Sequence, residues 1–298
     1  MKVLILGHIA LDEIIIDSRR YVDVIGGPPV YGGIALTSFK DISVHIATSI
    51  GVDALTKILN ELKDSSLSFS PLIVYSNYRT TRYALVYKGE ERKLLLKSKC
   101  GPISYVIGAF DAVMVSPITD EVSLNIFEYL RKNSELVVLD PQGFFRSHEI
   151  GEVRPFLDKN LFRVMNKVDV IKISEEEASL IDNNILSCLK LLLKRVEVAI
   201  ITRGSKGSLV GFKTNGGLKL ANIPAFRSTL VDPTGAGDVF TAVFMIYYLK
   251  EKDPVRAGCI ASAAASIAVE KRGPTRLSYE TLMERADVLL GNVKLSAL

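Results

Sequence analysis

Cysteine, histidine and tryptophan are scarce in this chain of 298 residues, which contains three cysteines, three histidines and no tryptophan. Cys100, Cys188 and Cys259 are far apart, and no two of them form a CxxC pair. The histidines show no metal-ligand spacing, and no HExxH motif occurs. Neither a disulfide framework nor a zinc site is therefore expected.

A strong charge of one sign and long hydrophobic runs are also missing. The 37 basic residues are scattered among 33 acidic ones, for a net charge of +4, so no nucleic-acid partner is expected. No apolar segment reaches the roughly 18 residues that a membrane span needs. The apolar start of the chain is interrupted by His8 and Asp12, and no signal-peptide cleavage pattern follows. We therefore expect a cytoplasmic protein without a membrane partner.

Short β-branched runs alternate with helical patterns along most of the chain. The runs predict buried strands at 3–6, 44–47, 113–116, 136–139, 170–173 and 198–202. The patterns predict helices at 54–62, 122–131, 175–181, 185–193, 236–249 and 254–269. This alternation predicts an α/β fold, with a mostly parallel central sheet and helices on both faces. Since no linker or repeat interrupts it, residues 1–298 are expected to form a single domain.

Two segments, 13–25 and 80–99, depart from this alternation and have amphipathic β patterns. A small sheet with one apolar face must cover something or pair with a partner. We expect these segments to form a small β-sheet lid over a substrate site, through which a homodimer could also form. Two merely decorative hairpins are the alternative.

The segment DPTGAGD, directly before an apolar run, is the most informative part of the chain. Gly235 and Gly237 flank Ala236, so bare backbone N–H groups can converge on an anion. The apolar run predicts a buried helix whose N-terminus adds partial positive charge at the same point. Asp238 in its first turn could then take a proton from an attacking hydroxyl while the N–H groups stabilise a phosphoryl group. The alternative is a glycine-rich turn that caps an ordinary helix.

This segment resembles the C-terminal signature of the ribokinase-like (PfkB-type) carbohydrate kinases, and further segments match that family in the right order. The resemblance implies a ribokinase-like fold and transfer of the γ-phosphoryl group of ATP, with Mg²⁺, to a hydroxyl of a small polyol. The strings DPTGAGD, KISEEE and DPQGFFR are most similar to the myo-inositol kinases, which makes myo-inositol the expected acceptor. A kinase for another small sugar or nucleoside, or a non-catalytic ligand-binding protein of the same fold, are the alternatives.

Two segments are similar to nucleotide-site motifs of the family. The turn TRGSKG resembles its TxGxxG turn, which implies contacts with the ribose and phosphates of ATP from Thr202, Arg203, Gly204, Ser205 and Gly207. A purely structural turn is the alternative. The segment SEEE resembles Asn-x-x-Glu, with Glu177 in the position that organises Mg²⁺ through water. Ser174 stands where asparagine is usual, and its contact with the nucleotide is thereby altered.

The expected acceptor site begins after the first strand. Asp12 lies five residues after Gly7, and the carboxyl ends of parallel strands are where ligands bind in open α/β sheets. A carboxylate there can accept hydrogen bonds from a polyol, and the resemblance assigns Asp12 to the substrate. Gly26 and Gly27 match the substrate turn of the family, and Tyr31 stands where the family often has asparagine.

Two further residues complete the expected acceptor site. Gln142 takes the asparagine position of the family's Asp-x-Asn segment, with Arg146 displaced downstream. Arg82 is the only cation in the segments expected to line the pocket, 7–12, 26–33 and 80–83. Since a phosphorylated sugar needs several cations around its phosphate, this scarcity favours an unphosphorylated polyol.

Overall fold

The computed structural model describes residues 1–16, 19–88 and 91–298. Within them the strands are β1 (Lys2–Leu6), β2 (Ala10–Ile16), β3 (Arg19–Gly26), β4 (Ser43–Gly51), β5 (Ser68–Tyr75), β6 (Arg82–Lys88), β7 (Glu91–Ser98), β8 (Phe110–Val115), β9 (Ser134–Leu139), β10 (Gly151–Glu152), β11 (Val170–Ser174), β12 (Val198–Thr202), β13 (Ser208–Thr214), β14 (Gly217–Ile223) and β15 (Lys294–Ala297). The helices are α1 (Pro28–Leu36), α2 (Leu55–Leu62), α3 (Leu124–Asn133), α4 (Leu161–Val164), α5 (Glu175–Ser179), α6 (Ile185–Leu193), α7 (Ala236–Glu251), α8 (Pro254–Ala268) and α9 (Tyr279–Leu290). Short 3₁₀ turns occupy Val52–Ala54, Gln142–Phe145, Met165–Lys167 and Gly204–Lys206.

Ten of the described strands form one sheet, the large sheet, in the order β15-β14-β13-β12-β11-β9-β8-β1-β4-β5. Every pairing from β12 through β11, β9, β8, β1 and β4 to β5 is parallel, whereas β13, β14 and β15 are antiparallel. The predicted α/β fold with a mostly parallel central sheet is therefore confirmed. The sequence pattern did not indicate β5, β15 or α9.

Helices cover both faces of the large sheet because its strands bury side chains in both directions. In β1, Val3 and Ile5 join the core that contains residues of α1, α2, α7, α8 and α9. Leu4 and Leu6 alternate with them and join the core on the opposite face, with residues of α3, α4 and α6. This alternation is the two-sided burial typical of parallel strands. Of these helices, α7 is buried along almost its whole length, so its N-terminus is firmly positioned.

Five described strands form a second sheet, the small sheet, in the order β10-β7-β6-β2-β3. The two amphipathic segments contribute four of these strands, and β2 begins at Ala10, before the expected position 13. Asp12 consequently lies on the small sheet and not at the exit of the first strand. The two-residue β10 comes from a distant part of the chain, and the sequence pattern did not indicate it. The residues between β2 and β3 and the Gly-Glu of the expected 88–90 turn lie outside the described residues.

In the described parts of the chain, no helix has the length and apolar character needed to cross a membrane.

Candidate active site

A cleft of about 910 Å³ is lined by residues of both sheets. Asp12, Tyr83 and Leu94 line it from the small sheet. The ends of β11 and β12, the segment after β9 and the start of α7 line it from the large sheet. The carboxyl ends of several parallel strands thus meet at this cleft, as expected for a ligand site in an open α/β sheet.

The start of α7 forms a tight backbone turn at the cleft. Gly235 precedes the helix with a φ of 76°, and a Cβ atom there would lie 2.1 Å from Cδ1 of Tyr31. The first helical bond is donated by the Val239 N–H to the Gly235 carbonyl oxygen at 2.9 Å. The amides of Gly237 and Asp238 precede that bond and lie at the positive end of the helix dipole. The N–H of Ala236 donates to the carbonyl oxygen of Pro233 at 3.3 Å, so this amide is already engaged within the turn.

Asp238 is 8% exposed and is oriented by a chain of side chains. Gln142 Nε2 donates to Asp238 Oδ1 at 2.8 Å, and Arg146 Nη2 donates to Gln142 Oε1 at 3.0 Å. Burial and the nearby charge of Asp140 raise the pKa of Asp238 to about 7, against the opposing effects of Lys172 and Gln142. A carboxylate with such a pKa is well suited to accept a proton near neutral pH.

Lys172 is a buried cation beside this turn, and sequence reasoning missed it. Its Nζ donates to Asp140 Oδ2 at 2.8 Å, and Thr241 Oγ1 donates to the same oxygen at 3.0 Å. A Cβ on Gly237 would lie 3.0 Å from Lys172 Nζ, so the ammonium lies against the glycine turn. Burial lowers the pKa of Lys172, but the charges of Asp140 and Glu177 outweigh burial and leave that pKa raised. The sequence contained a clue to this role: Lys172 lies two residues before Ser174 on the same strand, and two such residues lie on the same face of the sheet.

Ser174 and Glu177 form a capping box at the start of α5. The Ser174 N–H donates to Glu177 Oε2 at 2.7 Å, and the Glu177 N–H donates to Ser174 Oγ at 3.1 Å. Serine and asparagine are both favourable at an N-cap, so the departure from the family pattern at Ser174 retains this local role. Both residues line the cleft.

Glu177 is suited to hold Mg²⁺ through water. No group of three acidic, histidine or cysteine side chains that could hold a metal occurs among the described residues. Mg²⁺ keeps several of its waters and needs only one or two carboxylates, and Glu176 and Glu177 both line the cleft. Burial raises the pKa of Glu177, so a cation nearby would favour its charged form. These two carboxylates therefore fit a water-mediated Mg²⁺ site of the kind that the resemblance implies.

Asp12, Gly27 and Tyr31 also line the cleft, and Tyr31 lies directly beside the Gly235 turn. Asp12 is 9% exposed, and Gly26 gives its carboxylate room, since a Cβ on Gly26 would lie 2.7 Å from Asp12 Oδ2. Gly27 has a φ of 89°, and a Cβ there would lie 2.3 Å from the His8 carbonyl oxygen. Both glycines are therefore explained by close packing.

The expected contact of Arg82 with the acceptor stays a prediction, but the argument from a scarcity of cations loses its premise. The guanidinium of Arg82 pairs with Asp23 and, at 3.0 Å, with Asp53, and Arg82 is not among the residues that line the cleft. Arg146 and Arg154 line it instead, as does Lys172. Arg154 and Lys172 come from segments that the sequence analysis did not assign to the acceptor pocket, whereas Arg146 lies in the same segment as Gln142.

The acceptor part of the cleft also has an extensive apolar wall. Ala10, Leu85, Leu94, Ile118, Phe145 and Val153 line it. Tyr83 lines it as well, and its hydroxyl donates to the Ile118 carbonyl oxygen at 2.6 Å.

The TRGSKG turn contributes Thr202 to the cleft lining, but not Arg203, Gly204, Ser205 or Gly207. Arg203 Nη2 donates to Asn222 Oδ1 at 2.8 Å. A Cβ on Gly207, which has a φ of 85°, would lie 2.1 Å from the Ile223 carbonyl oxygen. Packing against β14 therefore explains Gly207, and a nucleotide contact for these four residues stays a prediction.

Comparison with known proteins gives matches along nearly the whole chain. The model of the family described as pfkB family carbohydrate kinase matches residues 15–282. The chain is 26% identical over 306 residues to a nucleoside kinase of Methanocaldococcus jannaschii, across 96% of this chain and 97% of that protein. It is 22% identical over 299 residues to an inositol 3-kinase of Arabidopsis thaliana, across 96% of this chain and 79% of that protein.

The fold is similar to that of a pyrophosphate-dependent kinase in the ribokinase family, whose structure was solved as a sulfate complex. The TM-score is 0.79 at 22% sequence identity, over 94% of this chain and 99% of that chain. At this identity the likeness establishes the fold alone, which is the ribokinase-like fold that the sequence predicts.

Proposed function

The chain belongs to the pfkB family of carbohydrate kinases, and on that premise we propose that it transfers a phosphoryl group to a hydroxyl of a small acceptor in the cleft. One observation carries the proposal. A buried carboxylate, Asp238, lies at the N-terminus of a buried helix, directly after a glycine turn and beside a buried ammonium. Proton acceptance and anion stabilisation are thus combined at one point.

In the proposed reaction Asp238 accepts the proton of the acceptor hydroxyl. The freed oxygen forms a bond to the terminal phosphorus of the donor, and the bond from that phosphorus to the leaving phosphate oxygen breaks. Gln142 holds the carboxylate through its 2.8 Å bond to Oδ1, which orients the other oxygen for the proton. A base near its pKa at neutral pH has the best balance between being deprotonated and binding a proton.

The transferred group carries negative charge, which Lys172 and the amides at the start of α7 would stabilise. Asp140 and Thr241 hold the ammonium in place, so little reorganisation is needed when the charge develops. Glu177 is the residue proposed to hold Mg²⁺ through water, and the bound ion would supply further neutralisation of the phosphate charge.

We propose myo-inositol as the first acceptor to test. Asp12 provides the hydrogen-bond acceptor that a ring polyol needs, and the similarity to an inositol 3-kinase supports the same class. The identity is only 22%, so this support is for the class of acceptor.

A nucleoside is the second candidate, and the apolar wall favours it. Leu85, Leu94 and Phe145 offer a surface for a planar base, which a ring polyol would leave uncovered. The similarity to a nucleoside kinase, at 26% identity over nearly the whole of both chains, points to the same class.

ATP is the proposed phosphoryl donor, as the resemblance to the family implies. Pyrophosphate must be tested beside it, since one solved structure of similar fold is a pyrophosphate-dependent kinase. The small sheet is proposed to act as the lid over the bound acceptor, and a homodimer through this sheet stays a prediction.

The deciding experiment is a transfer assay that combines each donor, ATP or pyrophosphate, with myo-inositol, ribose, cytidine and fructose 6-phosphate. The expected outcome is a higher kcat/KM for an unphosphorylated acceptor than for fructose 6-phosphate. Preference for cytidine over every free polyol would select the nucleoside function. Phosphoryl transfer to none of these acceptors, in a folded chain that binds the donor, would favour the non-catalytic alternative.

A further inference from the structure

His8 is fully buried, does not line the cleft, and has no role in the proposed reaction. Its ring makes hydrogen bonds on both sides, with Thr81 Oγ1 2.8 Å from Nδ1 and Ser49 Oγ 2.8 Å from Nε2. Ser49 Oγ donates to the Gly101 carbonyl oxygen at 2.5 Å, so it must accept from Nε2. Nδ1 then accepts from the Thr81 hydroxyl. Nε2 therefore carries a proton, and burial, which lowers the pKa of His8, favours the neutral ring with Nδ1 as the acceptor.

The contacts of His8 join the two sheets. Four segments of the described chain connect the large sheet with β2, β3, β6 and β7, and His8 itself lies in the first of them. The second segment passes close to His8, since a Cβ on its Gly27 would lie only 2.3 Å from the His8 carbonyl oxygen. The third and fourth contribute Thr81 and Gly101, which both contact the ring. Ser49, on β4, is the anchor in the large sheet.

A buried carboxylate fixes the backbone at the same point. Glu121 Oε1 accepts the His8 N–H at 3.0 Å and the Ile118 N–H at 2.9 Å. Ile118 in turn lines the cleft and accepts the hydroxyl of Tyr83 on the small sheet. The hydrogen bonds around His8 therefore connect it to the apolar wall of the cleft. None of them involves a group that is proposed to contact the phosphoryl donor.

We propose that His8 is a positioning residue that holds the small sheet in place over the cleft, so that Asp12 and Tyr83 meet the acceptor. The inference rests on the proposed kinase function only for its effect on turnover. An imidazole is needed because one rigid ring presents an acceptor to Thr81 and a donor to Ser49. A shorter or more flexible side chain can satisfy only one of these partners.

The charges around the ring are compatible with its staying neutral. Burial lowers the pKa of His8, and the charge of Lys99 acts in the same direction, while Glu121, the Gly101 carbonyl and Asp120 oppose them. Protonation would place a second donor opposite the Thr81 hydroxyl, which would then have to turn away from the ring.

The kinetic test compares His8→Ala, His8→Gln and His8→Asn with the control His45→Ala. His45 lies on β4, where it contacts Ser43 and Ser70. We expect His8→Ala to raise KM for the acceptor by roughly 10-fold to 100-fold, the range for a small misplacement of substrate-positioning groups, with little change in KM for the donor. His8→Gln, which keeps a donor for Ser49, and His8→Asn, which keeps an acceptor for Thr81, should each restore part of the loss. Equal changes in both KM values, or none, would overturn the proposal.

Two measurements decide the proposal without activity. The nitrogen shifts of the His8 ring should indicate the neutral Nε2–H form at neutral pH, because burial lowers the pKa of His8. In His8→Ala, the amides of β2 and β6 should exchange faster while those of β11 and β12 stay protected. A ring protonated on Nδ1, or faster exchange throughout the chain, would contradict the positioning role. If the wild-type chain phosphorylates nothing, the proposed function fails, but these two measurements still decide the role of His8.

Discussion

The two ends of the cleft are built in different ways. At the start of α7, the glycine turn and Asp238 come from one short segment. At the acceptor end, Asp12, Tyr83 and Val153 come from segments that are far apart in the chain and meet only when the small sheet forms. The chemistry of transfer could therefore be predicted from one short sequence motif, whereas the identity of the acceptor could not.

The cations at the two ends differ in the same way. Lys172 is fully buried with Asp140, at a desolvation cost that such a pair rarely recovers in stability. Arg154 is exposed, so its charge is easily screened, whereas Arg146 is half-buried and linked to Asp238 through Gln142. We infer that the buried end provides fixed electrostatics for the transfer and the open end selects the acceptor.

The strongest test of the buried end is Asp238→Asn, which removes the proton acceptor but keeps the shape of the side chain. We expect kcat to fall by roughly 10²-fold to 10⁴-fold, the usual contribution of a positioned general base, with donor affinity retained. Asp253→Asn is the matched control, because Asp253 caps α8 and asparagine caps equally well. Near-normal turnover in a folded Asp238→Asn variant would refute the assignment.

Lys172→Met tests the buried charge itself. Loss of a fixed positive group beside the transferred phosphoryl should lower kcat by roughly 10²-fold to 10³-fold. Since kcat falls as Asp238 is protonated, the wild-type profile should have an acid limb at about pH 7. The charge of Lys172 lowers the pKa of Asp238, so its removal should move that limb to higher pH.

Two variants control this shift. Removal of Lys172 leaves Asp140 buried without its ion-pair partner, at a cost of about 3–5 kcal/mol, so Lys172→Met/Asp140→Asn is needed if the single variant unfolds. Asp140→Asn alone should move the acid limb to lower pH, because the charge of Asp140 raises the pKa of Asp238. An acid limb that stays in place in every variant would contradict the coupling.

At the acceptor end, Asp12→Ala should raise KM for a free polyol by roughly 10-fold to 100-fold, because hydroxyls of the bound polyol lose their acceptor. Arg154→Met should leave that KM nearly unchanged but lower any activity toward fructose 6-phosphate. Arg82→Met is the matched comparison, since Arg82 pairs with Asp23 and Asp53 and does not line the cleft. A change in acceptor preference in Arg82→Met and not in Arg154→Met would reverse our assignment.

The smallest expected effect concerns the TRGSKG turn. Gly207→Ala places a Cβ against the Ile223 carbonyl oxygen at a positive φ, and should lower the free energy of unfolding by more than about 1 kcal/mol. Gly216→Ala, where the nearest atom is 3.9 Å away, should be nearly neutral. Denaturant unfolding of both variants checks this difference. Equal stabilities would show that packing does not require glycine at 207.

Much of the large sheet could be predicted because its strands and helices carry local patterns. The predicted bounds of α6 and β12 agree with the structure, and those of α7 differ by two residues at its end. The edge strands β5 and β15 were not predicted: β15 is exposed and has no apolar run, and the apolar run of β5 is short and follows Pro71. The strand β10 has only two residues, too few for any periodicity.

The site residues also divide into those that local sequence patterns could predict and those that depend on tertiary packing. Asp238, Ser174 and Glu177 follow or open regular elements, so their positions could be inferred from the elements themselves. The ion pairs of Arg82 could not be predicted, because a strand pattern does not reveal which carboxylates its guanidinium will meet. Its partners, Asp23 and Asp53, lie on segments whose proximity depends on how the small sheet packs.

By itself the sequence determined the kinase family, the alternation of strands and helices, and the glycine turn with Asp238, because each depends on neighbouring residues and backbone sterics. Only the tertiary structure decided that Lys172 and Asp140 form a buried pair beside that turn, that Arg146 and Arg154 line the cleft, and that His8 contacts segments between the two sheets. Those features depend on distances between segments that are remote in the chain. Such distances follow from how whole sheets pack, and no local pattern encodes them.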